Sequence, residues 1–126
     1  MKKILLVDDD MDLLSMLKNV LKSNGYSVTT LADGTAVLRT INYITPDIII
    51  LDIHMPPTDG REICRQIKNA PELRHIPVVL YSALPEDKEA VKNCKADYFL
   101  QKPLSTSAFI EEIREVMKQG VEQSPK

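Results

Sequence analysis

The chain has 126 residues, 44% of them hydrophobic and 27% charged, with a formal net charge of −2 and no long acidic or basic block. Such totals fit one soluble globular domain with one core and exclude a collagen-like chain, a disordered charged tail and a basic nucleic-acid-binding arm. The opening MKKILLVDDD sets only four apolar residues between two lysines and three aspartates, too few for a signal core or a membrane span, so the chain reads as cytoplasmic with no membrane partner.

In chain order, ILLV (4–7) is a continuous apolar run and predicts a strand buried on both faces. Residues 11–23 then place Leu14, Leu17 and Leu21 on one helical face, with Gly25 as the stop. YSVTTL (26–31) predicts a strand whose threonines suit an edge. Val37, Leu38 and Ile41 give a second helix near 36–43, which Pro46 prevents from continuing. DIIIL (47–51) is another buried strand. Asp59 caps a helix that buries Ile63 and Ile67 and ends before Pro71. PVVLY (77–81) is the fourth strand, and Pro85 opens a weaker helix at about 86–94 with Ala90, Val91 and Cys94 as its apolar side. YFL (98–100) is the fifth strand. Ser105 caps the last helix, where Phe109, Ile113 and Val116 share a face and Gly120 marks the end. Residues 1–120 are thus the domain, and 121–126 a frayed tail or the start of a linker. Five strand–helix units with right-handed crossovers predict an α/β fold: a five-stranded parallel sheet with helices on both faces.

Cys64 and Cys94 lie far apart in sequence without a CxxC or histidine cluster and read as buried free thiols. The methionines read as filler, apart from Met55, which seats the loop after Asp52. His75 reads as loop surface, and Asp59-Gly60 as a turn and cap.

Ligands of open α/β sheets bind beyond the carboxyl ends of the strands, where the strand order reverses. Asp8, Asp9 and Asp10 follow the first strand, Asp52 the third, Ser82 the fourth and Lys102 the fifth, whereas the threonine-bearing strand ends blandly in Leu31-Ala32. Strand order 2-1-3-4-5 makes the four chemically equipped ends neighbours and puts the bland one on the edge. Asp8, Asp9 and Asp52 then share a pocket, where like charges about 4 Å apart repel by roughly 4 kcal/mol at an effective dielectric near 20, so a cation belongs among them. Carboxylates without histidine or thiolate suit Mg²⁺, which takes one or two protein carboxylates and completes its shell with water and phosphate oxygens. With Ser82 as hydroxyl donor and Lys102 as a second positive charge, the set suits a phosphoryl group, and Asp52 is the candidate nucleophile. Asp10 reads as a helix cap and Asp12 as surface.

ILLVDDD, IIILDIHMPPTDG, VVLYSA and YFLQKP, in this order and spacing, resemble the receiver domain of two-component response regulators, including chemotaxis regulators, over about residues 2–118. The resemblance implies a flavodoxin-like (βα)5 fold and a signalling phosphoacceptor rather than an enzyme. Asp52 would accept a phosphoryl group from a sensor histidine kinase or phosphotransfer protein. Asp8 and Asp9 would hold Mg²⁺ with Asp52 and the His54 backbone carbonyl, while Ser82 and Lys102 would contact the phosphate. Ser82 and Phe99 would form a switch pair that repacks the surface of the fourth helix, fifth strand and fifth helix toward a downstream protein, a fused output domain or a second copy. A cis peptide at Lys102-Pro103 is also implied. The chain departs from the family pattern in having Phe99 instead of tyrosine, Lys95 where glycine is usual, and Leu104 where phenylalanine is common. His54 and Leu84 stand where the family tunes phosphoryl loss, and the apolar Leu84 predicts a phosphorylated state that is not short-lived.

Two other readings compete. A phosphatase of the haloacid dehalogenase type would use Asp8 as nucleophile within Asp8-x-Asp10, with the hydroxyl after VVLY as its second motif, but Asp12 is wrong for it and IIILD goes unexplained. A receiver-like interaction module that never takes phosphate would not need the intact set of Asp8, Asp9, Asp52, Ser82 and Lys102. No helix-turn-helix or basic stripe supports direct nucleic-acid binding.

Overall fold

Each apolar run forms a strand, and the intervening stretches form helices. The computed structural model describes residues 1–84, 89–102 and 105–122. The elements are β1 (Lys3–Val7), α1 (Met11–Ser23), β2 (Ser27–Leu31), α2 (Val37–Ile44), β3 (Ile48–Asp52), β4 (His54–Met55), β5 (Thr58–Asp59), α3 (Gly60–Asn69), β6 (Val78–Ser82), α4 (Ala90–Cys94), β7 (Tyr98–Gln101) and α5 (Thr106–Glu122). The main sheet runs β2-β1-β3-β6-β7, all parallel, which is the expected 2-1-3-4-5 order of its five strands. A small antiparallel pair, β4 with β5, was not foreseen and reverses the chain after β3.

Alternating residues of the inner strands feed two apolar layers rather than the single core expected from length. Leu5, Val7, Ile49, Leu51, Val78 and Leu80 pack with Val37, Ile41, Ile63, Ile67 and Cys94 from α2, α3 and α4. Ile4, Leu6, Ile48, Ile50, Val79 and Leu100 pack with Leu14, Leu17, Phe109 and Ile113 from α1 and α5. Strand β3 is buried along its whole length, Asp52 included. Its four apolar residues, at roughly 1.5–3 kcal/mol each, outweigh the cost of carrying a carboxylate to the strand end.

The helix signals hold with a few corrections. Asp10 caps α1 by accepting from the Leu13 N–H, Asp59 caps α3 by accepting from Arg61, and the Ser105 hydroxyl accepts from Ala108 at the start of α5. Leu38, expected inward, is exposed, and only Val37 and Ile41 of that trio are buried. Met11 and Met16 are exposed instead of filling the core, while Met55 is fully buried. Helix α5 passes through Gly120 to Glu122, since one glycine costs a helix only about 1 kcal/mol. The expected helix at 86–94 is described from Ala90, and the first residues of that stretch, like the peptide at Lys102-Pro103, lie outside the described residues. Pro56-Pro57 is cis. Both cysteines are free and buried, and the Cys64 thiol donates to the Cys94 carbonyl.

Two backbone positions are decided by sterics. Lys95, the departure from glycine noted above, adopts φ 64, the left-handed region that costs a side-chain-bearing residue about 1 kcal/mol or more. Gly60 has no such conformation; a Cβ there would lie 2.3 Å from the Asp52 carbonyl oxygen and 2.9 Å from the Ile53 Cα. Its bare Cα lets α3 press against the end of β3, where the Gly60 N–H donates to Ile53 O at 2.8 Å.

Lys95→Gly is expected to raise stability by about 1 kcal/mol in urea unfolding, partly offset by the greater freedom of glycine in the unfolded chain. Gly60→Ala should have the opposite sign, costing about 1–3 kcal/mol through overpacking. An unchanged midpoint in either variant would show that the strain or the close approach is absent.

Candidate functional site

The sheet alternation decides which side chains meet. Asp52 ends β3 in the same phase as Ile48 and Ile50, and Tyr81, its register partner on β6, follows Val79; both lie on the α1 and α5 side. Two backbone bonds prolong the ladders by one residue, Asp8 N–H to Leu31 O at 3.1 Å and Lys102 N–H to Ser82 O at 2.7 Å. This continuation brings Asp8, after Leu6, and Lys102, after Leu100, to the same side as Asp52.

Lys102 Nζ donates to Asp8 Oδ2 at 2.8 Å and lies 3.5 Å from Asp52 Oδ1, with the ammonium 5.1 Å from the centroid of the Tyr81 ring. The other Asp8 oxygen accepts from the Asp10 N–H at 2.9 Å. Asp8, Asp9 and Asp52 each offer a carboxylate oxygen, all within 4.8 Å of one another, with Asp8 and Asp52 buried and Asp9 exposed. The predicted acidic trio and its lysine therefore form one cluster.

Charge crowding is visible in the acidities. Burial first, and then the neighbouring Asp8 charge, push the Asp52 carboxyl up to about 6, against the opposing pull of Lys102 and a hydrogen bond from the His54 backbone. Burial works against the Lys102 ammonium, but its hydrogen bond and charge pairing with Asp8, then Asp52, hold it above the ordinary lysine value.

Ser82 and Phe99 occupy the opposite phase. Ser82 is fully buried one residue beyond the Asp52 partner, and its hydroxyl accepts from the Leu84 N–H at 3.1 Å. Phe99, opposite Leu80 in the register, packs against the layer containing Cys94 of α4. Leu84 and the His54 side chain are exposed. The loop after Asp52 is fixed by buried Met55, whose carbonyl accepts from the Thr58 hydroxyl at 2.8 Å, and by Gly60. Asp59 turns away to Arg61, whose hydrogen bonds hold its carboxyl below the usual range.

Two contributors were missed in the sequence. In the sequence Gly60 reads as a turn residue, and its role depends on how closely α3 approaches β3. Tyr81 reads there only as part of an apolar strand; its phase relative to Asp52 becomes legible once the β3–β6 register is known. Among the described residues, no helix is long and apolar enough to cross a membrane.

Residues 4–114 match the response regulator receiver domain. Response regulator PleD of Caulobacter vibrioides is 36% identical over 118 residues, 92% of this chain and 26% of that protein, so the chain spans about a quarter of this relative's length. The signal receiver domain of a histidine kinase from Syntrophus aciditrophicus superposes with a TM-score of 0.88 at 32% identity, covering 100% of this chain and 96% of that one. Response regulator TrrA of Thermotoga maritima, solved in complex with Mg²⁺ and BeF, has a TM-score of 0.83 at 27% identity and covers 92% and 99%. Strand order, clustered strand-end residues and a match over most of the chain agree: this protein belongs to the response regulator receiver domain family.

Proposed function

We propose that Asp52 is the phosphoacceptor of a two-component switch, carried above all by one observation: three carboxylates and the Lys102 ammonium converge beyond the ends of β1, β3 and β7. Among the described residues, the cluster sets one ammonium, paired with Asp8 and Asp52, against the three carboxylates of Asp8, Asp9 and Asp52, a surplus of two negative charges (three minus one). A divalent cation matches that surplus, and an all-oxygen donor set suits Mg²⁺, held by Asp8, Asp9, Asp52 and the His54 carbonyl. Bound there, Mg²⁺ would neutralise charge and orient the phosphoryl oxygens.

Asp52 is the better nucleophile of the two buried carboxylates, because Lys102 pairs more closely with Asp8, at 2.8 Å, than with Asp52, at 3.5 Å, leaving Asp52 the less neutralised of the two. Nothing in the family match or the site geometry favours Asp8 as the nucleophile of a phosphatase. In transfer from a phosphohistidine, an Asp52 oxygen forms the new bond to phosphorus while the nitrogen–phosphorus bond breaks, its electron pair staying on the imidazole. Lys102, 3.5 Å from Asp52, meets the incoming oxygens and remains fully charged.

The product carries more negative charge and more acceptor oxygens than a carboxylate. Ser82 would exchange its contact with the Leu84 N–H for a phosphoryl oxygen, and Phe99 would move into the volume that becomes available, repacking the surface of α4, β7 and α5. The result is a population shift toward a form held by contacts made only there. A sensor kinase or phosphotransfer protein is the donor, and a downstream protein, an output domain or a second copy reads the new surface. The exposed, apolar Leu84, two positions after Ser82, would hinder the attacking water and favour slow hydrolysis.

Incubation with Mg²⁺ and acetyl phosphate should place one hydroxylamine-labile phosphoryl group on Asp52 by mass spectrometry, with none in Asp52→Asn and little in Lys102→Ala. Labelling of Asp8, or a wild-type protein that stays unlabelled, would refute the assignment.

The raised Asp52 pKa also has a stability consequence. The folded protein holds a proton on this group more tightly than the unfolded chain, so stability falls as pH rises from 3.8 to about 6 and stays lower above that window. In a metal chelator, Asp52→Asn should therefore be more stable than wild type by about 1 kcal/mol above about pH 7, allowing for screening at the open mouth of the site. The gap should shrink toward about pH 4, and Mg²⁺ should stabilise wild type more than the variant. A pH-independent gap would mean that Asp52 ionises normally.

A further inference from the structure

Among the described residues, the Lys102 ammonium lies near two carboxylates and one aromatic face: Asp8 at 2.8 Å, Asp52 at 3.5 Å and Tyr81 at 5.1 Å. The shortest contact is to a carboxylate of the metal-binding trio, and an oxygen that turns to a divalent ion no longer serves the ammonium equally well. The longest contact has no such conflict, because an aromatic face attracts a cation within about 6 Å but binds neither a metal ion of this kind nor a phosphate.

The ring is well fixed. Tyr81 is 4% exposed and meets Phe109 of α5 edge to face, with centroids 5.6 Å apart and planes at 82°. It lies directly opposite Asp52 in the β3–β6 register, and its carbonyl accepts the Ile53 N–H at 3.3 Å. The same residue thus holds the backbone just beyond Asp52 and presents a ring to the lysine.

Resting on the phosphoacceptor reading above, we propose that Tyr81 is a positioning residue for Lys102: its ring keeps the ammonium aimed at Asp52 when Asp8 is drawn to the metal. The ring supplies this function, whereas the phenolic hydroxyl does not.

The metal-free protein gives the first readout. The Lys102 ε-methylene protons, assigned by comparison with Lys102→Arg, should be shifted upfield by the ring in wild type and in Tyr81→Phe, and should return to ordinary positions in Tyr81→Leu. The second readout is the rate of Asp52 labelling by acetyl phosphate with Mg²⁺. Tyr81→Phe should stay within about twofold of wild type, and Tyr81→Leu should be slower by about threefold to tenfold, the scale of one partly desolvated cation–aromatic contact. If the leucine variant does not fold, Tyr81→Met takes its place in both arms.

Equal slowing in the phenylalanine and leucine variants would overturn the proposal, since loss of packing or of the hydroxyl would then suffice. So would a leucine variant that labels at the wild-type rate. Should wild type fail to label at all, the phosphoacceptor reading falls by itself, and the spectra still decide the contact: an unshifted Lys102 in wild type rejects it.

Discussion

The Lys102 ammonium between Asp8 and Asp52 is the interaction on which the site depends. Its two ion pairs, at 2.8 and 3.5 Å, join the far ends of β1, β3 and β7, so the carboxylates can crowd together without unfolding the strands that carry them. Compensation is incomplete: burial, and after it the Asp8 charge, displace the Asp52 carboxyl upward in spite of the lysine. A cluster fully neutralised by its own lysine would have little affinity for a divalent ion, and one without the lysine would relieve its repulsion by holding a proton on a carboxylate. The observed balance lies between these limits, stable enough to fold and still short of positive charge.

The fold supplies this arrangement through parallel pairing. In a parallel sheet every strand delivers its carboxyl end to the same edge, and the register fixes which residues stand side by side. Strand β2, which brings no functional group to that end, is one of the two outer strands, so its partly exposed threonines do not interrupt the cluster. The two apolar layers secure the register, because a slip of one residue on β3 would turn Asp52 toward the side chains of α2 and α3 and set Leu51 or Ile53 among the charged groups in its place.

Much of this was legible from residue order alone. Four continuous apolar runs, each followed by an acidic, hydroxyl or ammonium residue, suffice to infer a parallel sheet and a shared edge, and Asp8, Asp9, Asp52 and Lys102 meet as expected. Features set by distant contacts were not legible. Gly60 is required by the carbonyl of Asp52, eight positions earlier, and no local turn pattern distinguishes that need from an ordinary cap. Leu38 fits the helical period but falls on the outer margin of α2, and the exposed Met11 and Met16 show that hydrophobicity alone does not assign a residue to the core. Gly120 failed as a stop because the glycine penalty is small beside the cooperative propagation of a long helix.

The end of β6 joins the two halves of the proposed switch. Its last two residues point to opposite faces: Tyr81 toward Lys102 and the charge cluster, Ser82 toward the layer that contains Phe99 and Cys94. A change of charge at Asp52 therefore has a short route to the α4 side. If the phosphoryl group draws both the ammonium and the Ser82 hydroxyl, adjacent positions of one strand are pulled from its two faces together. The strand itself is buried throughout and bonded to β3 and β7, so it resists moving as a body. The response is then left to side chains and to the segment after Ser82, where the Leu84 N–H now holds the hydroxyl. In the proposed switch, a rigid strand with a fixed ring on one face and a responsive hydroxyl on the other would let a local electrostatic event become a change of surface packing without loss of the fold.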